Sequence, residues 1–565
     1  MRRKTGKLHE PSRQLPSDAL PDAPPSFLLR HLYWAMPFGL FLVLRLFCGD
    51  PYCLLGGDQC TFLELGRTFP RHALFNHELY LIHSPLFGYA IGLLYLVLPL
   101  LAAGLVASLL FACINFFAVR SLARFDSLPQ PAICAGLMFL ALSRPGAAYD
   151  YHVAGVSILV CSTAIALLAF LRLLREPNRK TLSLAIAANA FSLLVSDQAL
   201  LLLPCEVVIL LVRGLSVRDI RLPWKSAGLL GATSAISALI WPVVRLMEFL
   251  QRSDLPAGIS GSIEFTRNFP LLAVLQPNFL PFTNIHRSLF TQTSLSLWNL
   301  KPVLMTKLAT DLLVLPRALS IALVLGLMLA ALLQPARRRR AAQWLALSLL
   351  LLLPVGLGMN EWYGMAFVVP FSLLMMEGAA ACISWRASTG TGPEKTVTLG
   401  LSAVCVLAAA IWLSAPAPEM HDFLSPRGGT QFLFTRPPLT RSADAVRFFA
   451  SMPRDTGIMA PTDLSPEVVY LTDQRVLALP FDPALLDRFI AEYRISYVIT
   501  SNEFLRRYAA PVADQYTSSL VNRFIVQHPE RYRLVHVHPE TYPAFFSPTE
   551  YYVFQVQNPV TPAER

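Results

Sequence analysis

The sequence predicts a multi-pass α-helical membrane protein, with about eleven transmembrane helices, outer juxtamembrane helices and a small C-terminal α/β domain. Three observations predict it. The first is composition: the 565 residues are 54% hydrophobic and only 15% charged, whereas soluble domains carry about a quarter charged residues. The second is the placement of cations. The net charge is +11, but Lys and Arg fall in short clusters between apolar runs, as the positive-inside rule produces. That scatter argues against a nucleic-acid surface, which gathers its cations on one face. The third is a change after Pro416 from apolar runs to soluble-domain composition.

Residues 1–30 are basic and then Pro-rich, with no apolar core, and read as a cytoplasmic tail rather than a cleaved signal peptide. The first span, 31–48 (HLYWAMPFGLFLVLRLFC), follows basic residues, so the loop after it emerges on the far side. The apolar run from Pro85 to Pro99 is too short to cross, since spanning takes about 20 residues. One crossing at 100–119 returns the basic VRSLARF segment to the inside; two crossings would not. The 85–99 stretch therefore reads as a helix lying in, or re-entering, the outer interface. Further spans fall near 131–143, 153–171, 181–196, 199–213, 225–246, 311–333, 341–359, 365–384 and 396–415.

The segments assigned inside carry Arg172, Arg175, Arg179 and Lys180; Arg213, Arg218, Arg221 and Lys225; Arg337 to Arg340; and Arg386 and Lys395. The short outer connections RPGAAYDYH, SDQ and NEWYG are poor in Lys and Arg. The transmembrane domain thus covers 31–415, with 49–99 as the first outer loop and 247–310 as a long, aromatic-rich outer loop. Loops of that length are usually functional or disordered.

Residues 416–565 form the outer domain. SADAVRFFASMP and PALLDRFIAEYRI read as helices, and TGIMAP, SYVITS, RYRLVHVH and EYYVFQVQ as strands. It shows no nucleophile motif, phosphate loop or metal spacing, which points to an accessory role. Of nine cysteines, none forms a CxxC pair. Cys53 and Cys60 flank the first outer loop, where a disulfide and two reduced thiols are equally open.

Carboxylates beside a membrane are costly unless solvated or paired, so each is a candidate for function. Asp58 stands in GGDQCTFLELGRTF. Glu64 and Arg67 are spaced i, i+3, which suits either a surface pair or a substrate-binding pair. Asp150 lies in the second outer connection beside Arg144, Tyr151 and His152. Alone it reads as a helix cap; on the same side as Asp58 it becomes a candidate for the same cleft. Asp197 and Gln198, in the SDQ turn, and Glu361, Trp362 and Tyr363 are further candidates. His72, His77, Tyr80 and His83 complete the first loop, without the clustered spacing of a dedicated metal site.

An Asp soon after the first span, then a helix, then His83-Ser84-Pro85-Leu86 with Tyr89 opening an apolar helix, resembles the polyprenyl-phosphate-sugar-dependent glycosyltransferases of the GT-C class. More closely, the pattern is similar to bacterial relatives of protein O-mannosyltransferases and of the lipid A aminoarabinose transferase. The resemblance implies an inverting glycosyltransferase of the bacterial cytoplasmic membrane. Its N-terminus would be cytoplasmic and its C-terminal domain periplasmic or extracellular. The donor would be a sugar on a polyprenyl phosphate, and the acceptor a glycan, lipid or protein reached from the outer face.

Asp58 and Asp150 then carry over as the catalytic carboxylates. Glu64, Arg67, His83, Tyr89, Arg144, His152, Asp197 and Tyr363 would be substrate-binding. Arg67, Arg144 and Arg287 are the cations suited to a phosphate. No cofactor follows from the residues, and a divalent cation is the one that the acidic pair admits. A polymerase or ligase acting through the 247–310 loop, a lipid-linked sugar transporter and an assembly scaffold are the alternative readings. No internal repeat of the transporter kind is visible.

Overall fold

The computed structural model describes residues 27–48, 57–69, 84–143, 153, 155–216, 223–251, 313, 317–356, 361–387, 443–453, 456–460, 475–478, 483–501, 519–539 and 550–557. The helical part contains α1 (Phe27–Cys48), α2 (Gly57–Thr68), α3 (Leu86–Tyr95), α4 (Leu100–Phe125), α5 (Gln130–Leu142) and α6 (Val156–Arg175). It continues with α7 (Arg179–Val195), α8 (Leu202–Ser216), α9 (Trp224–Gln251), α10 (Arg317–Leu333), α11 (Pro335–Gly356) and α12 (Val368–Ala387). Two 3-10 turns, Asp197–Leu201 and Glu361–Phe367, precede α8 and α12. The expected span 396–415 and nearly all of the 247–310 loop lie outside the described residues.

Among the described residues, Leu100–Phe125, Val156–Arg175 and Gly364–Trp385 are long and apolar enough to cross a membrane. His31–Leu46, Leu86–Tyr95, Gln130–Leu142 and Ala318–Leu333 are shorter apolar helices. This is a multi-pass helical membrane architecture. As expected, α3 is a half-length helix: it stops at Tyr95 and a turn leads through Pro99 into α4.

Proline and polar caps place the boundaries. Pro85, Pro99 and Pro129 stand immediately before α3, α4 and α5. The α7 N-terminus is closed by a reciprocal box. Asn178 Oδ1 accepts from the Lys180 and Thr181 amides, both at 3.0 Å, while Thr181 Oγ1 accepts from the Asn178 amide at 3.2 Å. Several boundaries differ from expectation: α4 runs on to Phe125, α6 to Arg175 and α9 to Gln251, so basic residues assigned to connections lie within helices. α11 begins at Pro335, so Arg337 to Arg340 lie within the helix rather than in a connecting segment. Charge assigns a side of the membrane but not a backbone conformation, and Arg is a good helix former.

The helices share one apolar core that also includes Phe62, Leu63 and Leu65 of α2 and Phe87 and Ile91 of α3. α1 packs on α5, α4 on α6, α7 on α6 and α9, and α12 on α5, α10 and α11. At one end of this bundle the cations gather around two buried carboxylates. Arg213 donates from Nη2 to both oxygens of Asp126, at 2.8 and 3.0 Å, and from Nε to Gln343 Oε1 at 3.1 Å. Arg340 donates to the Asp126 carbonyl at 2.8 Å. Arg337 Nη1 donates to Glu377 Oε2 at 2.8 Å, and Arg340 Nε stands 3.5 Å from Glu377 Oε1. The α4–α5 turn, α8, α11 and α12 are thereby tied at the basic end.

The C-terminal part contains α13 (Ala443–Ala450), β1 (Gly457–Ala460), β2 (Arg475–Ala478), α14 (Pro483–Tyr493), β3 (Ile495–Ser501), α15 (Ser519–Gln527), β4 (Tyr532–Pro539) and β5 (Glu550–Val556). The sheet order is β2-β1-β3-β5-β4. The first three strands are parallel, and β5 runs antiparallel to both of its neighbours. Alternation along the strands feeds two cores. Met459, Val498 and Phe554 face α14 and α15, whereas Ile458, Ile499 and Val553 face Phe449 of α13.

Arg531 pairs with Asp487 of α14, and the Tyr532 hydroxyl lies 3.5 Å from the same carboxylate. Burial first, and the Asp487 charge second, push the Tyr532 phenol above its ordinary 10.0. A raised acid contributes its stability in full below the ordinary value and loses it as pH climbs through the folded value. Alkaline unfolding of this domain should therefore become shallower in Tyr532→Phe, followed by near-UV circular dichroism.

Candidate active site

The end away from the cations is assembled from backbone ends. Ser84, one residue before Pro85 and α3, donates to the Leu194 carbonyl at the end of α7. Ser143, just past α5, bridges Leu313 ahead of α10. A side chain at Gly104, near the start of α4, would meet Leu63 of α2 at 3.0 Å and Val153 at 3.1 Å. The C-termini of α1, α5 and α7 thus share an end with the N-termini of α4 and α6, and α2 and α3 pack there.

The α2–α3 pair depends on close approach. Gly88 and Gly92 are spaced i, i+4 on α3 and face α2. A Cβ at Gly92 would sit 2.6 Å from Phe69 Cβ and 3.0 Å from the Gly66 carbonyl. Overpacking of this kind costs about 1–3 kcal/mol. Gly92→Val should therefore lower the Tm of the detergent-extracted protein by several degrees. Gly39→Val, where nothing lies within 4 Å, should leave it unchanged.

Asp58 is the second residue of α2, whose backbone is described from Gly57. One turn on, Phe62 packs edge-on against Phe87 of α3 at 5.2 Å. Phe62 also meets Gly155, just ahead of α6. Gly155 has φ +71, and a Cβ there would stand 3.2 Å from Phe62 Cζ. Gly155 follows Asp150 by five positions. α2, whose second residue is Asp58, therefore meets the start of α6, five positions after Asp150, through Phe62 and Gly155.

The Ser84–Leu194 bond likewise sets the residue after His83 close to the turn that begins with Asp197. Tyr363 is in the second 3-10 turn, which packs on α11 and α6. His83, Arg144, Asp150 and His152 lie outside the described residues, as do the side chains of Asp58, Asp197 and Tyr363.

Three candidates are engaged locally. Glu64 is buried, and Arg67 Nη2 donates to its Oε1 at 2.8 Å, the i, i+3 pair that the spacing allows. Tyr89 is half-buried, with its ring 5.4 Å from Phe69. Cys60 is buried in α2, while Cys53 lies outside the described residues. Among the described residues no three of His, Cys, Asp and Glu gather to hold a metal ion. Sequence reading missed Phe62, Gly155 and Arg45, and took Ser84 only as part of the motif before α3. Only Arg45 carried a visible signal, as a lone cation inside an apolar run.

A multi-pass helical bundle with two short helices packed at one end is followed by a mixed α/β domain. The chain has the fold of an archaeal oligosaccharyltransferase. The Archaeoglobus fulgidus enzyme tethered to an acceptor peptide containing the NVT sequon superposes with a TM-score of 0.50 at 11% identity, covering 93% of this chain and 74% of that one. ArnT from Cupriavidus metallidurans bound to undecaprenyl phosphate superposes with a TM-score of 0.40 at 12% identity, covering 94% of this chain and 98% of that one. No protein-family model matches the chain, and no curated protein matches it in sequence.

Proposed function

We propose that this protein is an integral membrane glycosyltransferase. It moves a sugar from a polyprenyl-phosphate-linked donor to an acceptor at the outer face of a bacterial cytoplasmic membrane. The basic end is the cytoplasmic one by the positive-inside rule, so the N-terminus is inside and the C-terminal domain outside. One observation carries the reading. On a fold shared with an oligosaccharyltransferase, Phe62, four residues after Asp58, meets Gly155, five residues after Asp150, at the end opposite the basic cluster.

In the proposed reaction an acceptor hydroxyl attacks the anomeric carbon from the face opposite the phosphate. The new glycosidic bond forms as the bond from the anomeric carbon to the phosphate oxygen breaks, which inverts the configuration. Asp58 takes the hydroxyl proton or orients the hydroxyl, and Asp150 assists. The leaving lipid phosphate departs as an anion, for which Arg67 and Arg144 are the candidate partners.

The test is transfer of label from a polyprenyl-phosphate-sugar pool in membranes with and without the protein. Label should move only where the protein is present, and the labelled product identifies the acceptor as glycan, lipid or protein. Movement of the lipid-linked sugar across the bilayer with no new glycosidic bond would replace this reading with transport.

A further inference from the structure

α1 and α4 meet through aromatic rings near the basic end of the bundle. Trp34 and Phe38 of α1 stand 5.9 and 5.1 Å from Phe117 of α4, and Phe38 lies 5.2 Å from Phe116. One turn beyond Phe117, the Arg120 guanidinium lies over the Trp34 ring, 5.1 Å from its centroid. His31 ends the row, edge-on to Trp34 at 6.2 Å.

Arg120 is half-buried, and Arg124, one turn further along the same face, is exposed. Like charges at i, i+4 repel. Neither α1 nor α4 contains an Asp or Glu, and Asp126, which follows α4, is held by Arg213. Among the described residues neither Arg120 nor Arg124 has a carboxylate partner, and Arg120 Nε is buried with no hydrogen-bond acceptor. The Trp34 ring attracts the charge but leaves that N–H unmet, which is costly for a charged group. The pair calls for an anion.

The surface beside the pair is apolar. Leu110, Ile114 and Phe117 are exposed on α4, and their i, i+4, i+7 spacing continues to Arg124. Ten residues separate Leu110 from Arg120. That is about 15 Å of helix, half of the roughly 30 Å hydrocarbon core. The strip is one leaflet deep, with its cations at headgroup level. A soluble anion would meet the cations and leave the strip bare. A zwitterionic lipid would cover the strip but bring a third cation to the pair. A lipid with a net negative phosphodiester headgroup satisfies both.

We propose that the α1–α4 face at the basic end is a binding site for an anionic phospholipid. The phosphate accepts hydrogen bonds from Arg120 and Arg124, Trp34 and His31 flank the headgroup, and an acyl chain lies along Phe117, Ile114 and Leu110. The site is independent of the transfer reaction.

The test uses the full-length protein, stripped of lipid in a neutral detergent and titrated with phosphatidylglycerol, phosphatidylcholine or inorganic phosphate. Native mass spectrometry reads the bound lipid. Phosphatidylglycerol should bind about tenfold more tightly than phosphatidylcholine, and inorganic phosphate should not displace it. Arg120→Gln combined with Arg124→Gln should weaken phosphatidylglycerol binding about 30-fold, the scale of two cations acting on one anionic headgroup. Arg179→Gln combined with Lys180→Gln removes two exposed cations from the same end and should change binding less than about twofold.

Equal weakening by both double variants would reveal a general basic surface, and displacement by phosphate a soluble anion. Either overturns the proposal, as does equal binding of the two lipids. A second measurement needs no variant. Phosphatidylglycerol with a photoreactive acyl chain should label wild-type α4 within 110–117, and labelling confined to other helices overturns the proposal.

Discussion

Asp58→Asn should lower sugar transfer by about 10²- to 10⁴-fold, the usual contribution of a positioned acid or base, with membrane level unchanged. The competing account is local. An Asp in the first turn of a helix gains about 0.3–1 kcal/mol from the exposed amides and dipole. On that account Asn, itself a good cap, would change little beyond a few tenths of a kcal/mol in stability. The two accounts differ by orders of magnitude in rate, so one assay in membranes separates them. Asp150→Asn supplies the second arm. If the carboxylates act as a unit, the double variant loses little more than the worse single one. If they act independently, the losses multiply.

Glu377→Ala should lower stability by about 3–5 kcal/mol, the cost of removing one partner from a buried ion pair. Glu377 is 0% exposed on α12, and the Arg337 side chain that faces it is 16% exposed. Alanine would leave Arg337 charged and largely desolvated, and would remove the 3.5 Å approach of Arg340 as well. Glu377→Gln keeps an acceptor oxygen and should cost markedly less. Thermal unfolding of the detergent-extracted protein measures both. Equal Tm values for wild type and Glu377→Ala would show that water reaches the basic end well enough to replace the pair.

Much of the fold was legible because it is local. Apolar runs of set length located the helices, and Pro85 and Pro99 isolated α3 as a piece too short to cross. Period-2 alternation in YRLVHVHP and EYYVFQV marked β4 and β5. β2 and α15 were not read from the sequence, although Val521, Phe524 and Ile525 stand at helical spacing in α15. The Arg337–Arg340 run lies in a helix instead of the connection in which it was placed. The site was legible only as separate acidic residues on one side of the membrane. The packing at that end is not local. Phe62 meets Gly155 and Arg45 meets α5 across gaps in sequence that no periodicity reports, and glycine has no side chain to advertise a contact.

The network at the basic end also has a history in time. Arg340 bonds to the Asp126 carbonyl across 214 residues of chain, and Glu377 comes later still. During synthesis the α4–α5 turn enters the bilayer surface long before its partners have been translated. Contacts so distant along the chain close late, because loop-closure entropy is paid before they form. The early half must therefore wait with Asp126 unmet by α11. A nascent chain halted before α11 should be recognised and cleared, while one that reaches Glu377 locks. The last element of this network to be made is α12, which brings Glu377 to Arg337.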